Sequence, residues 1–254
     1  LYPQNMVFTY QGDGDLSALS GETMASWITG SSNGQVMLDQ QKVAAFVAKL
    51  AATYDTAGKP RTFKGVSGAE YQLTGPYGWK IDQAGEIAAL TELIQSGSAW
   101  QSGDSADREP VYSQVAASRT GSDWGNTYVQ VDLSGQHVYM IKDGAAVWDA
   151  PCVTGNVSKD YTTPAGIYSL TYKEKDRILR GKKLENGKYE YETHVDYWMP
   201  FNGGIGLHDA PWRSKFGGTI YQTSGSHGCV NLPPASVPAL YDMLYKGIPV
   251  ICTP

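Results

Sequence analysis

No apolar run in this chain approaches the ~18 residues that a membrane-spanning helix needs. Cysteine is scarce, with three in 254 residues, and an odd count of three excludes a disulfide scaffold. Histidine is scarce too, with four, so any imidazole chemistry rests on few positions. No block of Lys or Arg is long enough for nucleic-acid binding, and the net charge of -5 argues against it. The chain opens on Leu1 rather than Met and shows no signal-peptide pattern, so a processed or truncated form is expected. Any membrane attachment is expected only through an anchor outside this chain.

What is present leans toward strands and turns, with 29 Gly and 17 Tyr, and the 41% of hydrophobic residues is enough for a substantial core. The first half carries two helix signals. Asp39 is placed to cap a helix whose Val43, Phe46, Val47 and Leu50 recur at helical spacing. Asp82 stands likewise before Ile87, Leu90, Thr91 and Ile94, with Gly97 as a stop. The two starts resemble one another, which fits either a duplicated strand–helix unit or shared capping chemistry.

The stretch 117–123 is small and polar and reads as a linker. Beyond it the period changes to that of strands. Val129, Val131 and Leu133 alternate with polar residues, and Asp143-Gly144 and Asn186-Gly187 mark hairpins. Further strands are expected over 167–172 and 250–252. One helix follows, through Val237, Leu240, Tyr241 and Leu244, closed by Gly247. The expected fold class is α+β: a mixed N-terminal domain over 1–125, then a mainly-β, sandwich-like domain over 126–254 with one helix after its cysteine motif.

That motif is Ser226-His227-Gly228-Cys229-Val230-Asn231. A thiol, with an unperturbed pKa of about 8.5, needs a base or cation to react near neutrality. His208, ending the run Gly204-Ile205-Gly206-Leu207-His208, reads as an imidazole delivered by a separate strand, and is preferred as the base. His227 would share a face with Cys229 in an extended segment and could act as base, orienter or oxyanion donor. Asp209 would orient His208 by its carboxylate or, as strand alternation favours, by its backbone carbonyl. The amides of Gly228 and Cys229 are candidate oxyanion donors, each contributing about 3 kcal/mol. Ser226 and Asn231 are expected to fix the loop. A zinc site built from Cys229, His227, His208 and Asp209 is the main competing chemistry, but the spacing matches no zinc signature. Cys152 and Cys252 sit in apolar runs and read as small buried hydrophobes. His137 and His194 are expected to lack partners.

His208 with Ser226-His227-Gly228-Cys229-Val230-Asn231 resembles the signature of the L,D-transpeptidases of bacterial peptidoglycan, the YkuD-type catalytic domain, and among them the enterococcal β-lactam-insensitive branch. Tyr128-Val129-Gln130-Val131-Asp132-Leu133, Val153-Thr154-Gly155 and Thr163-Pro164-Ala165-Gly166-Ile167-Tyr168 agree with it. The resemblance covers roughly 126–254, and the first half resembles a wall-associated, peptidoglycan-binding domain. It implies Cys229 as nucleophile on the L,D peptide bond of a tetrapeptide stem, release of D-Ala, and transfer of the acyl group to an acceptor amine in a 3→3 crosslink. It also implies an extracellular, cell-wall location, a part in cell shape and antibiotic resistance, covalent inhibition by carbapenems, and no cofactor or metal. Tyr197, Trp198, Phe201 and Trp212, near His208 in sequence, are expected either to wall the substrate grooves or to pack in the sheet, with Gly206 and Asn231 beside the substrate. An L,D-carboxypeptidase or wall hydrolase using the same residues, and a non-catalytic wall-binding protein, remain open alternatives.

Overall fold

The computed structural model describes residues 7–11, 16–96 and 105–254. The chain divides into two compact units, residues 1–57 with 78–125, and residues 58–77 with 126–254. Residues 58–77 lie in the first half of the sequence but group with the second unit.

In the first unit, the Asp39 carboxylate accepts from the amides of Gln41 at 3.1 Å and Lys42 at 3.3 Å and starts the helix Gln40–Tyr54. This satisfies donors that the first helical turn leaves open. Val43, Val47 and Leu50 pack against Leu90 and Ile94 of the helix Gln83–Ser96, whose start is held by Asp82. Each helix follows a short strand, Gln35–Leu38 and Lys80–Ile81. The stop expected at Gly97 lies outside the described residues. Glu86 is fully buried in the second helix and is neutralised by Arg108 at 2.8 Å. The polar stretch after 117 is tied down rather than loose: Ser118 donates to the Asp123 carbonyl at 3.0 Å, the Trp79 indole donates to the Ser118 carbonyl at 2.7 Å, and Trp124 is buried.

The second unit holds two sheets. One runs in the order Ala145–Pro151, His137–Lys142, Tyr128–Asp132, Pro249–Thr253, Gly166–Ser169. The other runs Glu174–Arg180, Glu192–Asn202, Ile205–Asp209, Val230–Leu232. Asp143 and Gly144 both have positive φ, 52° and 81°, as the tight hairpin turn requires. Their inward faces share one apolar cluster, with Val129, Val131, Val138 and Met140 on one side and Met199, Leu207, Val230 and Leu232 on the other. Val237 and Leu240 of the helix Val237–Met243 complete it. That helix ends at Leu244, and Gly247 instead turns the chain toward the last strand, donating to the Leu170 carbonyl at 2.8 Å.

The outward face of the strand Tyr128–Asp132 is covered by the hairpin Arg61–Lys64/Glu70–Leu73. The Val66 amide donates to Gln130 Oε1 at 2.9 Å, and the Phe63 and Tyr128 rings meet edge-on at 5.5 Å. The chain beyond the hairpin pairs with the edge strand Gly166–Ser169: Ile167 donates to the Thr74 carbonyl at 3.0 Å and Tyr77 to the Ile167 carbonyl at 3.1 Å. This satisfies an edge that would otherwise present unpaired backbone groups.

Candidate active site

The site stands on the strand Ile205–Asp209, which pairs antiparallel with Glu192–Asn202 and parallel with Val230–Leu232. The register sets His208 opposite Asn231 and also opposite Trp198. Side chains two apart on a strand share a face. Gly206 and His208 therefore share a face, with Asn231 beside His208, and Cys229 stands immediately before the strand that carries Asn231. Gly206 is glycine for lack of space: a Cβ there would lie 2.8 Å from the Met199 carbonyl oxygen.

The hydrogen bonds of His208 determine its tautomer. Nδ1 lies 2.7 Å from the Asp209 carbonyl oxygen, which only accepts, so Nδ1 carries the proton. Arg213 Nε donates to Asn231 Oδ1 at 2.8 Å, and this turns the Asn231 amide nitrogen to His208 Nε2 at 2.9 Å. Nε2 is thus an acceptor, and the ring is neutral. Burial lowers the His208 pKa, opposed by the Asp209 carbonyl and assisted by the Arg213 charge. The ring stands between Trp198 and Trp212, with centroids 5.9 and 5.8 Å away.

The Asp209 carboxylate plays no part in this contact, for it turns away and accepts from the Tyr197 amide at 2.8 Å. The backbone arm of the two sequence alternatives is the one the geometry displays.

Cys229 is reached by a braced loop. Ser226 Oγ donates to the Cys229 carbonyl at 2.6 Å and accepts from the Gly228 amide at 3.0 Å. Thr163 Oγ1 donates to the Gly228 carbonyl at 2.6 Å. Gly228 has φ +113°, outside the range of most side chains, and a Cβ there would press on Ile205 at 3.1 Å. These bonds correct the expectation that the Gly228 amide serves an oxyanion, because Ser226 already occupies it. The Cys229 sulfur lies 3.5 Å from the Gly204 carbonyl, while one side stays open to the cleft. Burial pushes its thiol from 9.0 up to about 11, and a hydrogen bond from the Gly206 backbone acts in the opposite direction. Thiol and imidazole are both neutral at rest.

The cleft, about 230 Å³, is lined by His208, Trp212, Arg213, Ser226, His227, Cys229 and Asn231, with Leu179, Tyr191 and Thr193 from the facing hairpin. His227 lines it as well, beside Cys229. Its ring is stacked between Tyr161 at 4.5 Å and Tyr191 at 5.0 Å, with Glu190 at 3.7 Å. Asn231, expected beside the substrate, has both ends of its amide committed to His208 and Arg213 and is 2% exposed.

The aromatics divide in the same way. Trp212 is exposed along the cleft, and Trp198 is buried behind His208. Tyr197, on the opposite face of its strand, packs on Tyr241 at 5.1 Å, and Phe201 packs on Tyr168 at 5.5 Å, so neither walls the cleft. Tyr191 and Arg213 were not singled out by the sequence. Their signal was chemical, a tyrosine and an arginine among aromatics near the motif, but nothing local marked them.

Cys152 and Cys252 are free and fully buried. The two remaining histidines do have partners, contrary to expectation. His137 Nε2 lies 2.7 Å from Asp149 and His194 Nε2 lies 2.5 Å from Asp176, both across strand pairs. Among the described residues, no three His, Cys, Asp or Glu side chains are grouped to hold a metal ion.

Residues 126–252 match the family described as the L,D-transpeptidase catalytic domain, and residues 4–99 match one described as "Putative peptidoglycan binding domain". Among solved structures, an Ldtfm–avibactam carbamoyl enzyme is 33% identical with a TM-score of 0.78, covering 99% of this chain and 94% of that one. A Cys-to-Ser mutant of Enterococcus faecium L,D-transpeptidase is 32% identical with a TM-score of 0.77, covering 98% and 96%. L,D-transpeptidase 2 of Mycobacterium tuberculosis is 31% identical over 97 residues, which span 36% of this chain and 23% of that protein.

Proposed function

This chain belongs to the L,D-transpeptidase family, and from the geometry of its cleft we propose that it is a cysteine acyltransferase that forms 3→3 crosslinks between peptidoglycan stems. The observation that carries the reading is a single cleft lined by both Cys229 and a neutral His208, whose Nε2 is an acceptor.

Cys229 attacks the carbonyl carbon of the L,D bond in a tetrapeptide stem, and its thiol proton passes to His208 Nε2 as the C–S bond forms. The Asn231 amide yields Nε2 during this transfer. The oxyanion meets the Cys229 amide, the loop donor that Ser226 leaves available. His208 then returns the proton to the departing D-Ala amine, leaving a thioester. The acceptor amine attacks the thioester, gives its proton to His208, and expels the sulfur, which recovers that proton. A carbapenem would acylate the same sulfur by opening its lactam ring. The first unit would hold the enzyme on the wall, at the cell surface, where such crosslinks bear on cell shape and on β-lactam resistance.

The test is mass analysis of the products from a tetrapeptide stem, with and without an acceptor amine. Free D-Ala with a joined product supports the transferase. Release of D-Ala and tripeptide alone, unchanged by the amine, points to a carboxypeptidase.

A further inference from the structure

Among the described residues, Arg213 is the only Lys or Arg side chain lining the cleft, and no Asp or Glu lines it. Two donors of its guanidinium are already engaged, Nε by Asn231 Oδ1 and Nη1 by the Ser224 carbonyl, each at 2.8 Å. Among the described residues nothing pairs with Nη2, and no carboxylate lies within salt-bridge distance. The group is half-buried, so its charge is partly removed from water without a counter-ion. A guanidinium held in that way presents a preorganised donor edge for a planar anion.

We propose that Arg213 reads the terminal carboxylate of the leaving D-residue and so selects stems that end immediately after the L,D bond. The inference rests on the transferase reading above. In such a stem the carboxylate lies one residue, about 3.5 Å of chain, beyond the scissile carbonyl. Arg213 lies beside Asn231, which itself touches His208, so an anion there would stand next to the reacting centre without approaching the sulfur. A stem extended by a further residue, or capped as an amide, offers only a neutral carbonyl at this position and leaves the guanidinium without a counter-ion. Arg213 is a specificity-determining residue here. Its hydrogen bond to Asn231 also makes it a positioning residue, and the test must separate the two roles.

The experiment compares kcat/KM for a tetrapeptide stem and for its C-terminal amide, in the wild-type chain, Arg213→Gln and Arg213→Lys. The wild type is expected to prefer the acid by about 10- to 100-fold, the range of a charge-assisted hydrogen bond. Arg213→Gln is expected to bring the ratio close to one, mainly by slowing the acid. Arg213→Lys, which keeps charge but loses the fork, is expected to fall between, and it carries the comparison if Arg213→Gln does not fold. A wild type with no acid preference overturns the inference, and so does a variant that slows both stems equally, because that is loss of positioning alone. No turnover of either stem by the wild type would instead overturn the transferase reading, and this inference with it.

Discussion

Asn231 holds His208 by its proton-accepting nitrogen, amide to Nε2 at 2.9 Å, and does so because Arg213 orients the amide from its other end. Nearly every bond that prepares the base is thus made by a buried residue that the substrate need not touch.

Asn231→Ala is expected to lower kcat/KM by at least about tenfold by freeing the imidazole to tilt. Leaving His208 Nε2 and Arg213 Nε without their partner should also cost about 1–3 kcal/mol of stability. Steady-state kinetics beside a thermal melt would check both. A variant with normal kinetics would remove Asn231 from the account.

The pH dependence of alkylation follows from burial. A thiol raised to about 11 beside an imidazole with a lowered pKa is uncharged across the neutral range. Its rate with iodoacetamide should therefore keep climbing above pH 9, since each unit of pH below the thiol pKa adds tenfold to the thiolate. A plateau reached by pH 7 would mean a preformed thiolate–imidazolium pair instead.

Gly228→Ala should destabilise the loop by about 1–3 kcal/mol, since it forces a side chain into φ +113° and against Ile205. Ser226→Ala removes the brace on both the Gly228 amide and the Cys229 carbonyl. Both variants should slow carbapenem acylation more than they lower the melting temperature of the chain. Unchanged acylation rates would show that the brace has no part in presenting the sulfur.

A fragment spanning 126–254 would lack the hairpin that supplies the Val66 amide to Gln130, a side chain only 1% exposed, and the segment that pairs with Ile167. Adding a peptide of residues 58–77 is expected to raise its melting temperature in a concentration-dependent way. Identical melts with and without the peptide would contradict the assignment of this segment to the second unit.

Local chemistry made much of this legible in the sequence. Asp39 before an apolar helical period, Asp143-Gly144 between alternating strands, and a cysteine beside a histidine each act within a few residues. What was missed depends on pairing between distant strands. His137 and His194 find their carboxylates only across a ladder, and residues 58–77 bond to a sheet whose strands begin at Tyr128. Arg213 becomes a cleft residue only because the strands carrying His208 and Asn231 run side by side. The polar character of 117–123 read as a linker because the partners that tie it, Trp79 among them, lie far back in the chain.

The central claim is that the Cys229 sulfur accepts the acyl group. Intact-mass analysis with a meropenem-type carbapenem, followed by peptide mapping, tests it most directly. One adduct per chain is expected, carried by the peptide containing Cys229, and none in Cys229→Ala. An adduct on Cys152, Cys252 or another residue, or stoichiometric labelling that survives Cys229→Ala, would contradict it.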